Sequence, residues 1–184
     1  MRKVIYGINQ TLDGCCDHTK VSGTEDIHLY FADLMRNADL IVYGRKTYEL
    51  MVPFWPDVAK EQSMSKTINK FARVFDSIDR LVFSRTLKGV EDKKSRVVNT
   101  DPVEEILRLK QQPGRDISLG GVELPLQLIK AGVVDEFHIV VHPVIVGEGR
   151  RLFDGINVQE KLRLKLIESK PLPSGCVALR YVKE

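Results

Sequence analysis

Short, wholly apolar runs alternate along this chain with longer stretches in which apolar residues recur every three or four positions. The short runs read as buried strands: Val4 to Ile8, Leu40 to Tyr43, Leu81 to Phe83, Ile117 to Leu119 and Phe137 to Val141. Arg96 to Val98 reads as a further short strand. The first helix follows a polar loop through Gly23, with Thr24 as its cap and Ile27, Tyr30, Phe31, Leu34 and Met35 as its buried stripe. A helical turn or two is expected after Gly44, through Met51. Val52-Pro53-Phe54-Trp55-Pro56 is expected to be a loop, because prolines flank the aromatic pair, and a helix is expected between Lys60 and Phe71.

Asp101-Pro102-Val103-Glu104 is a helix start: an acidic cap, proline at the first helical position and Glu three after the cap. That helix stops near Pro113-Gly114. Gly120-Gly121 opens another, carrying Val122, Leu126 and Ile129 and ended by Gly132. The tail changes rhythm. Leu162, Leu164 and Leu166 alternate with charged residues, Val177, Leu179 and Tyr181 with smaller or polar ones, and turn residues lie between. The expectation is one α/β domain over residues 1–184: a three-layer sandwich around a mixed, mostly parallel sheet that ends in an antiparallel hairpin.

Composition narrows the functional classes. A chain of 184 residues suits one domain with a substantial core. A net charge of +3 over 25 acidic residues is no nucleic-acid footprint, so no nucleic-acid partner is expected. No apolar run approaches the ~18 residues of a membrane span, and the apolar run after Met1-Arg2-Lys3 is too short for a signal peptide, so a cytoplasmic protein without a membrane partner is expected. Cys15, Cys16 and Cys176 form no metal or disulfide pattern, and free thiols are expected. His138 and His142 would lie about 13 Å apart on one strand, too far to share a metal ion. No metal site is expected.

The candidate chemistry sits where strands end. Gly44-Arg45-Lys46-Thr47, Ser84-Arg85 and Gly120-Gly121 each follow a strand, and in an open α/β sheet those ends border the ligand crevice. Glycines let backbone amides approach a pyrophosphate, and Arg, Lys, Ser and Thr add donors. Each signal alone also fits a tight turn or a solvated helix start. Their conjunction points to a dinucleotide phosphate clamp, with cations suited to the 2′-phosphate of NADPH. Phe54 and Trp55 fit a wall over a substrate, a core plug or a contact between two copies of the chain; a homodimer stays open.

These motifs resemble those of the dihydrofolate reductase superfamily. Gly44-Arg45-Lys46-Thr47-Tyr48 looks like its Gly-Arg-x-Thr-aromatic motif, and Leu81-Val82-Phe83-Ser84-Arg85 like its next strand, which meets the adenosine 2′-phosphate. Thr11-Leu12-Asp13-Gly14 and His142-Pro143-Val144-Ile145-Val146-Gly147-Glu148-Gly149 resemble segments of the riboflavin biosynthesis reductase branch. The resemblance spans nearly the whole chain. It implies NADPH as cofactor and a small heterocyclic substrate, first 5-amino-6-(5-phosphoribosylamino)uracil and second a dihydrofolate-like pterin. A scaffold that binds nucleotides without turnover is the non-enzymatic alternative. Asp13 and Asp26 are the candidate residues for polarising or protonating the substrate.

Two departures bear on substrate. Ile27 stands four before Phe31, where dihydrofolate reductases carry an acid. Glu49-Leu-Met-Val-Pro-Phe-Trp-Pro-Asp57 replaces the ribose-phosphate segment of bifunctional riboflavin enzymes, and the chain carries no zinc-deaminase motif.

Overall fold

The computed structural model describes residues 1–158 and 161–184. An eight-stranded sheet runs through its centre in the order β4-β3-β2-β5-β1-β6-β8-β7. The strands are β1 (Val4–Thr11), β2 (Ala38–Gly44), β3 (Asp79–Phe83), β4 (Ser95–Val98), β5 (Asp116–Leu119), β6 (Glu136–His142), β7 (Leu164–Pro171) and β8 (Val177–Lys183). From β4 across to β6 every neighbouring pair is parallel; β8 and β7 close the sheet as an antiparallel hairpin.

The continuous apolar runs are explained by burial on both faces. Side chains alternate across β2: Leu40 and Val42 enter one core cluster, Ile41 and Tyr43 the other. The first cluster is covered by α5 (Pro102–Lys110) and α6 (Glu123–Lys130), through Ile106, Leu109, Leu124 and Leu128. The second is covered by α1 (Glu25–Met35) and α4 (Lys66–Asp76), through Ala32, Met35, Phe71 and Phe75. Fully buried residues such as Phe75, Leu128 and Phe137 each contribute roughly 1.5–3 kcal/mol of transfer free energy. The result is a helix–sheet–helix sandwich, with α2 (Arg45–Met51) and α3 (Trp55–Glu61) beside the carboxyl ends of the strands.

Two local expectations need correction. The stretch Val52 to Pro56 is not all loop, because α3 begins at Trp55 with Pro56 in its first turn. Proline is tolerated there because the missing N–H would have no helical partner. The single helix expected from Lys60 to Phe71 is instead two, α3 and α4. Gln62 breaks the run with a left-handed backbone, φ 53°, and Ser65 caps α4 by accepting from the Ile68 N–H. Asn69, in α4, braces the break: its amide donates to the carbonyls of Gln62 and Met64. Asp101 caps α5 as expected, accepting from Val103 and Glu104. Thr24 makes no cap bond to the α1 backbone; its hydroxyl goes to the Asp26 carboxylate instead.

Candidate active site

The ends of β1, β2, β3, β4 and β5 border one cavity of about 1120 Å³. All of Gly44, Arg45, Lys46, Thr47, Ser84, Arg85, Gly120 and Gly121 line it. The parallel pairing brings them together, since each strand's carboxyl end faces the same side.

The turn after β5 is closely fitted. Gly121 has φ +89°, and the Tyr6 hydroxyl donates to its carbonyl at 2.8 Å. A side chain on Gly121 would run into Thr47 Oγ1, and one on Gly120 would stand 2.6 Å from Tyr43. The two glycines therefore let β5 close against β2 and α2. Gly44 differs: its backbone is ordinary and a Cβ would meet only Leu124, at 3.7 Å.

The cations are held differently. Arg45 pairs along its helix with Glu49 at 3.2 Å. Lys46 and Arg150 both donate to Glu123 Oε1, at 3.3 and 3.0 Å, and these bonds hold the Glu123 carboxyl below its ordinary pKa. Ser84 Oγ accepts from the Thr86 and Leu87 N–H groups, forming the turn that carries Arg85 into the lining. Arg85 itself makes no ion pair among the described residues.

Asp13 and Asp26 are not among the residues that line the cavity, and each carboxylate is engaged in the loops beside it. The Asp13 carboxylate accepts from Thr11 Oγ1 at 2.6 Å and from the backbone of Gly147 at 2.9 Å and Val146 at 3.3 Å. The Thr11 hydroxyl and then the Gly147 N–H hold its pKa down at about 2. It joins the two loops whose motifs lie more than 130 residues apart in sequence, alongside the backbone bonds Leu12 to Val144 and Cys16 to Arg150. Asp26 accepts from the Ser174 N–H at 2.7 Å. Burial pushes its carboxyl up, but hydrogen bonds from Thr24 and Ser174 outweigh that and bring it to about 2.

The structure adds residues that sequence reasoning did not single out. His28 and Phe31 from α1 and Phe71 from α4 line the cavity, together with Trp55. His28 stands 5.4 Å from Trp55 and 5.3 Å from Phe71, ring centroid to centroid, and Trp55 stands 4.5 Å from Phe71. Phe31 lies over the bare backbone of Gly7, where a Cβ would sit 3.1 Å from its ring. Helical spacing marked Phe31 as apolar, yet spacing alone does not separate core from cavity wall. Trp55 is a wall residue, whereas Phe54 is half exposed and outside the lining. Arg150, Glu123 and Asp17 also line the cavity.

The donor set suits a phosphorylated dinucleotide. Arg45, Lys46, Arg85 and Arg150 line the same cavity as the glycine turn, Thr47 and Thr86, a cationic lining for a polyanion.

A mostly parallel sheet closed by this hairpin, with its crevice at the strand ends, is the α/β fold of the dihydrofolate reductase type. Within that class, the chain belongs to the family described as "RibD C-terminal domain", whose model matches residues 2–178. Its similar curated relatives include the uncharacterized protein YyaP of Bacillus subtilis, 33% identical over 98% of this chain and 94% of that protein. YwjB of the same organism, also uncharacterized, is 30% identical over 73% of this chain and 70% of its own. Among solved structures, a putative riboflavin biosynthesis protein from Shewanella sp. PV-4 superposes with TM-score 0.73 at 20% identity, covering 100% of this chain and 99% of that one. RibD from Acinetobacter baumannii gives TM-score 0.74 at 15% identity, over 100% of this chain and 58% of that one.

Proposed function

We propose that the protein is an NADPH-dependent reductase of a small heterocyclic substrate. One observation carries the reading: four cationic side chains, a glycine turn and a cluster of aromatic rings line a single large cavity. The cavity exceeds the ~300–1,000 Å³ of most small-ligand sites, as expected where an extended cofactor and a second ring share one space.

When bound, the dihydronicotinamide supplies a hydride. The protein's task is placement. Gly120 and Gly121 would let the backbone approach the phosphates, and Arg45, Lys46 and Arg85 would offset their charge. The apolar wall excludes water from the reacting carbon, a C=N or C=O centre that takes the hydride while its heteroatom takes a proton. Asp17 stays ionised, because hydrogen bonds from the Thr19 N–H and hydroxyl hold its carboxyl low, so it acts as an acceptor. His18, His28 or water is left as the proton source.

Membership of the RibD C-terminal domain family makes 5-amino-6-(5-phosphoribosylamino)uracil the first substrate to test, with a dihydropterin second. The test is twofold: nicotinamide fluorescence to measure NADPH and NADH binding, then NADPH oxidation against pterins and ribosylaminopyrimidines. Tight NADPH binding with oxidation of a member of that panel is expected. Failure to bind NADPH would exclude the reading.

A further inference from the structure

His28 enters the cavity lining from α1, and its ring is held on several sides. Nδ1 stands 2.7 Å from the Thr24 carbonyl oxygen, one helical turn back. A carbonyl only accepts, so Nδ1 donates there and carries its hydrogen in either charge state. The ring meets Trp55 of α3 at an interplanar angle of 60° and Phe71 of α4 at 85°, both edge to face. The chain entering α1 runs flush against it: a Cβ on Gly23 would stand 2.6 Å from Cε1. Asp26, two residues back on α1, is turned to Thr24 and Ser174, and His28 makes no ion pair among the described residues. Nε2 is left as the one ring atom that can gain or lose a proton, and it has no hydrogen-bond partner among the described residues.

Resting on the reductase reading above, we infer that His28 is the acid that meets the substrate: its Nε2 hydrogen-bonds the heteroatom of the reacting C=N or C=O group and, as imidazolium, protonates it. Hydride addition leaves the π electron pair on that heteroatom, so a proton must arrive there. The nearby carboxylates are poor sources. Asp13 and Asp26 are engaged in loop contacts that hold them at about 2, and Asp17 is kept ionised by Thr19. Imidazole is the side chain whose charge changes between pH 5 and 8. His18 also lines the cavity, but its side chain is 65% exposed and its Nδ1 lies 3.9 Å from Asp17. His28 is anchored instead, by Thr24, Trp55 and Phe71, so Nε2 needs no reorientation when the reaction occurs. The step balances. The hydride and its electron pair pass from the dihydronicotinamide to the carbon, and the π pair moves to the heteroatom. The Nε2–H bond breaks as the heteroatom–H bond forms, the cofactor leaves as NADP⁺, and Nε2 takes a new proton from water.

Trp55 is the chain's one tryptophan and lies against His28, so its emission reports the imidazole. An imidazolium takes an electron from excited indole more readily than a neutral imidazole does, and so quenches it. Trp55 emission is expected to rise between pH 5 and 8 with the loss of one proton, in the unmutated protein and in His18→Gln but not in His28→Gln. Absence of that transition, or its survival in His28→Gln, overturns the inference. The second measurement is single-turnover reduction of 5-amino-6-(5-phosphoribosylamino)uracil or a dihydropterin by NADPH. His28→Gln is expected to slow hydride transfer about 10²–10⁴-fold and to flatten its decline with rising pH, while NADPH affinity by nicotinamide fluorescence is unchanged. His28→Asn, whose shorter amide can still donate to the Thr24 carbonyl, is expected to behave alike and guards against a folding defect in either variant. An unchanged rate, or the same pH profile in both variants, refutes this inference alone and assigns the proton to water. A protein that binds no NADPH, or oxidises it with neither substrate, refutes the reductase reading instead.

Discussion

Thr47 on α2 and Gly121 after β5 touch so closely that Gly121 has no room for a side chain: its Cβ would collide with Thr47 Oγ1, and its φ of +89° disfavours one as well. Both residues line the cavity, so a single contact joins the two halves of the proposed phosphate clamp. Gly121→Ala is expected to destabilise the fold by about 1–3 kcal/mol and to weaken NADPH binding. Gly44→Ala should change stability little, because its Cβ would find only ordinary contact with Leu124. Urea unfolding of the two variants side by side checks the contrast; equal losses would remove the special role of Gly121.

Cofactor preference should depend on Arg85 more than on Arg45. Both line the cavity, but Arg45 already shares its charge with Glu49, whereas Arg85 has no ion pair among the described residues. A charge-assisted contact is worth roughly 1.5–3 kcal/mol, so Arg85→Ala should erode the preference for NADPH over NADH by about tenfold or more. Arg45→Ala should cost less. Calorimetric titration with both nicotinamides gives the ratio directly.

Glu123 restrains two cations at once, Lys46 and Arg150. Before they can face a polyanionic ligand, those bonds must loosen. Glu123→Gln is therefore expected to raise NADPH affinity a few-fold and to steepen its loss with added salt, as released surface charges are more openly screened. Weaker binding in this variant would mean that Glu123 positions the two cations rather than competing for them.

Asp13 and Asp26 are expected to matter for structure more than for chemistry. Asp13→Asn removes the acceptor that ties Val146 and Gly147 to the loop after β1, and Asp26→Asn weakens the hold on Ser174. Each variant should melt at a lower temperature and keep its turnover per folded molecule once a substrate is known. A large drop in single-turnover hydride transfer, with melting unchanged, would place the carboxylate in the mechanism instead.

A further acid-sensitive element lies away from the cavity. The Tyr30 hydroxyl meets His138 Nδ1 at 2.6 Å, and His138 Nε2 and Arg180 Nε both meet Glu136 Oε1 at 2.7 Å. Burial pushes the His138 pKa below its ordinary value, against the pull of Glu136. The unfolded chain thus binds a proton more readily, at about 6.5, so this contribution to stability is present above that pH and is lost as pH falls below it. The melting temperature should decline from pH 7 toward pH 5.5, and His138→Gln should flatten part of that decline. His142, also lowered by burial, carries a further part.

Strand positions were legible in the sequence because a central parallel strand is buried on both faces, and only a continuous apolar run satisfies both. The cap at Asp101 was legible for an equally local reason: one side chain satisfies two neighbouring N–H groups. The break at Gln62 was not, because nothing local in Lys60 to Phe71 forbids one helix; the bracing by Asn69 exists only once the turn has formed.

The candidate site divides along the same line. Glycines and cations at strand ends could be read in the sequence, since a parallel sheet carries all its carboxyl ends to one side. The partners of Asp13 could not, because they lie more than 130 residues away and meet it only through the pairing of two loops. Nor could the apolar stripe of α1 be divided, by spacing alone, into core and cavity wall. Ala32 and Phe31 are neighbours in sequence, yet one is sealed against the sheet and the other borders the cavity. Local sequence sets which residues avoid water; what they face instead depends on the helices and strands packed opposite, and only the tertiary structure decides that.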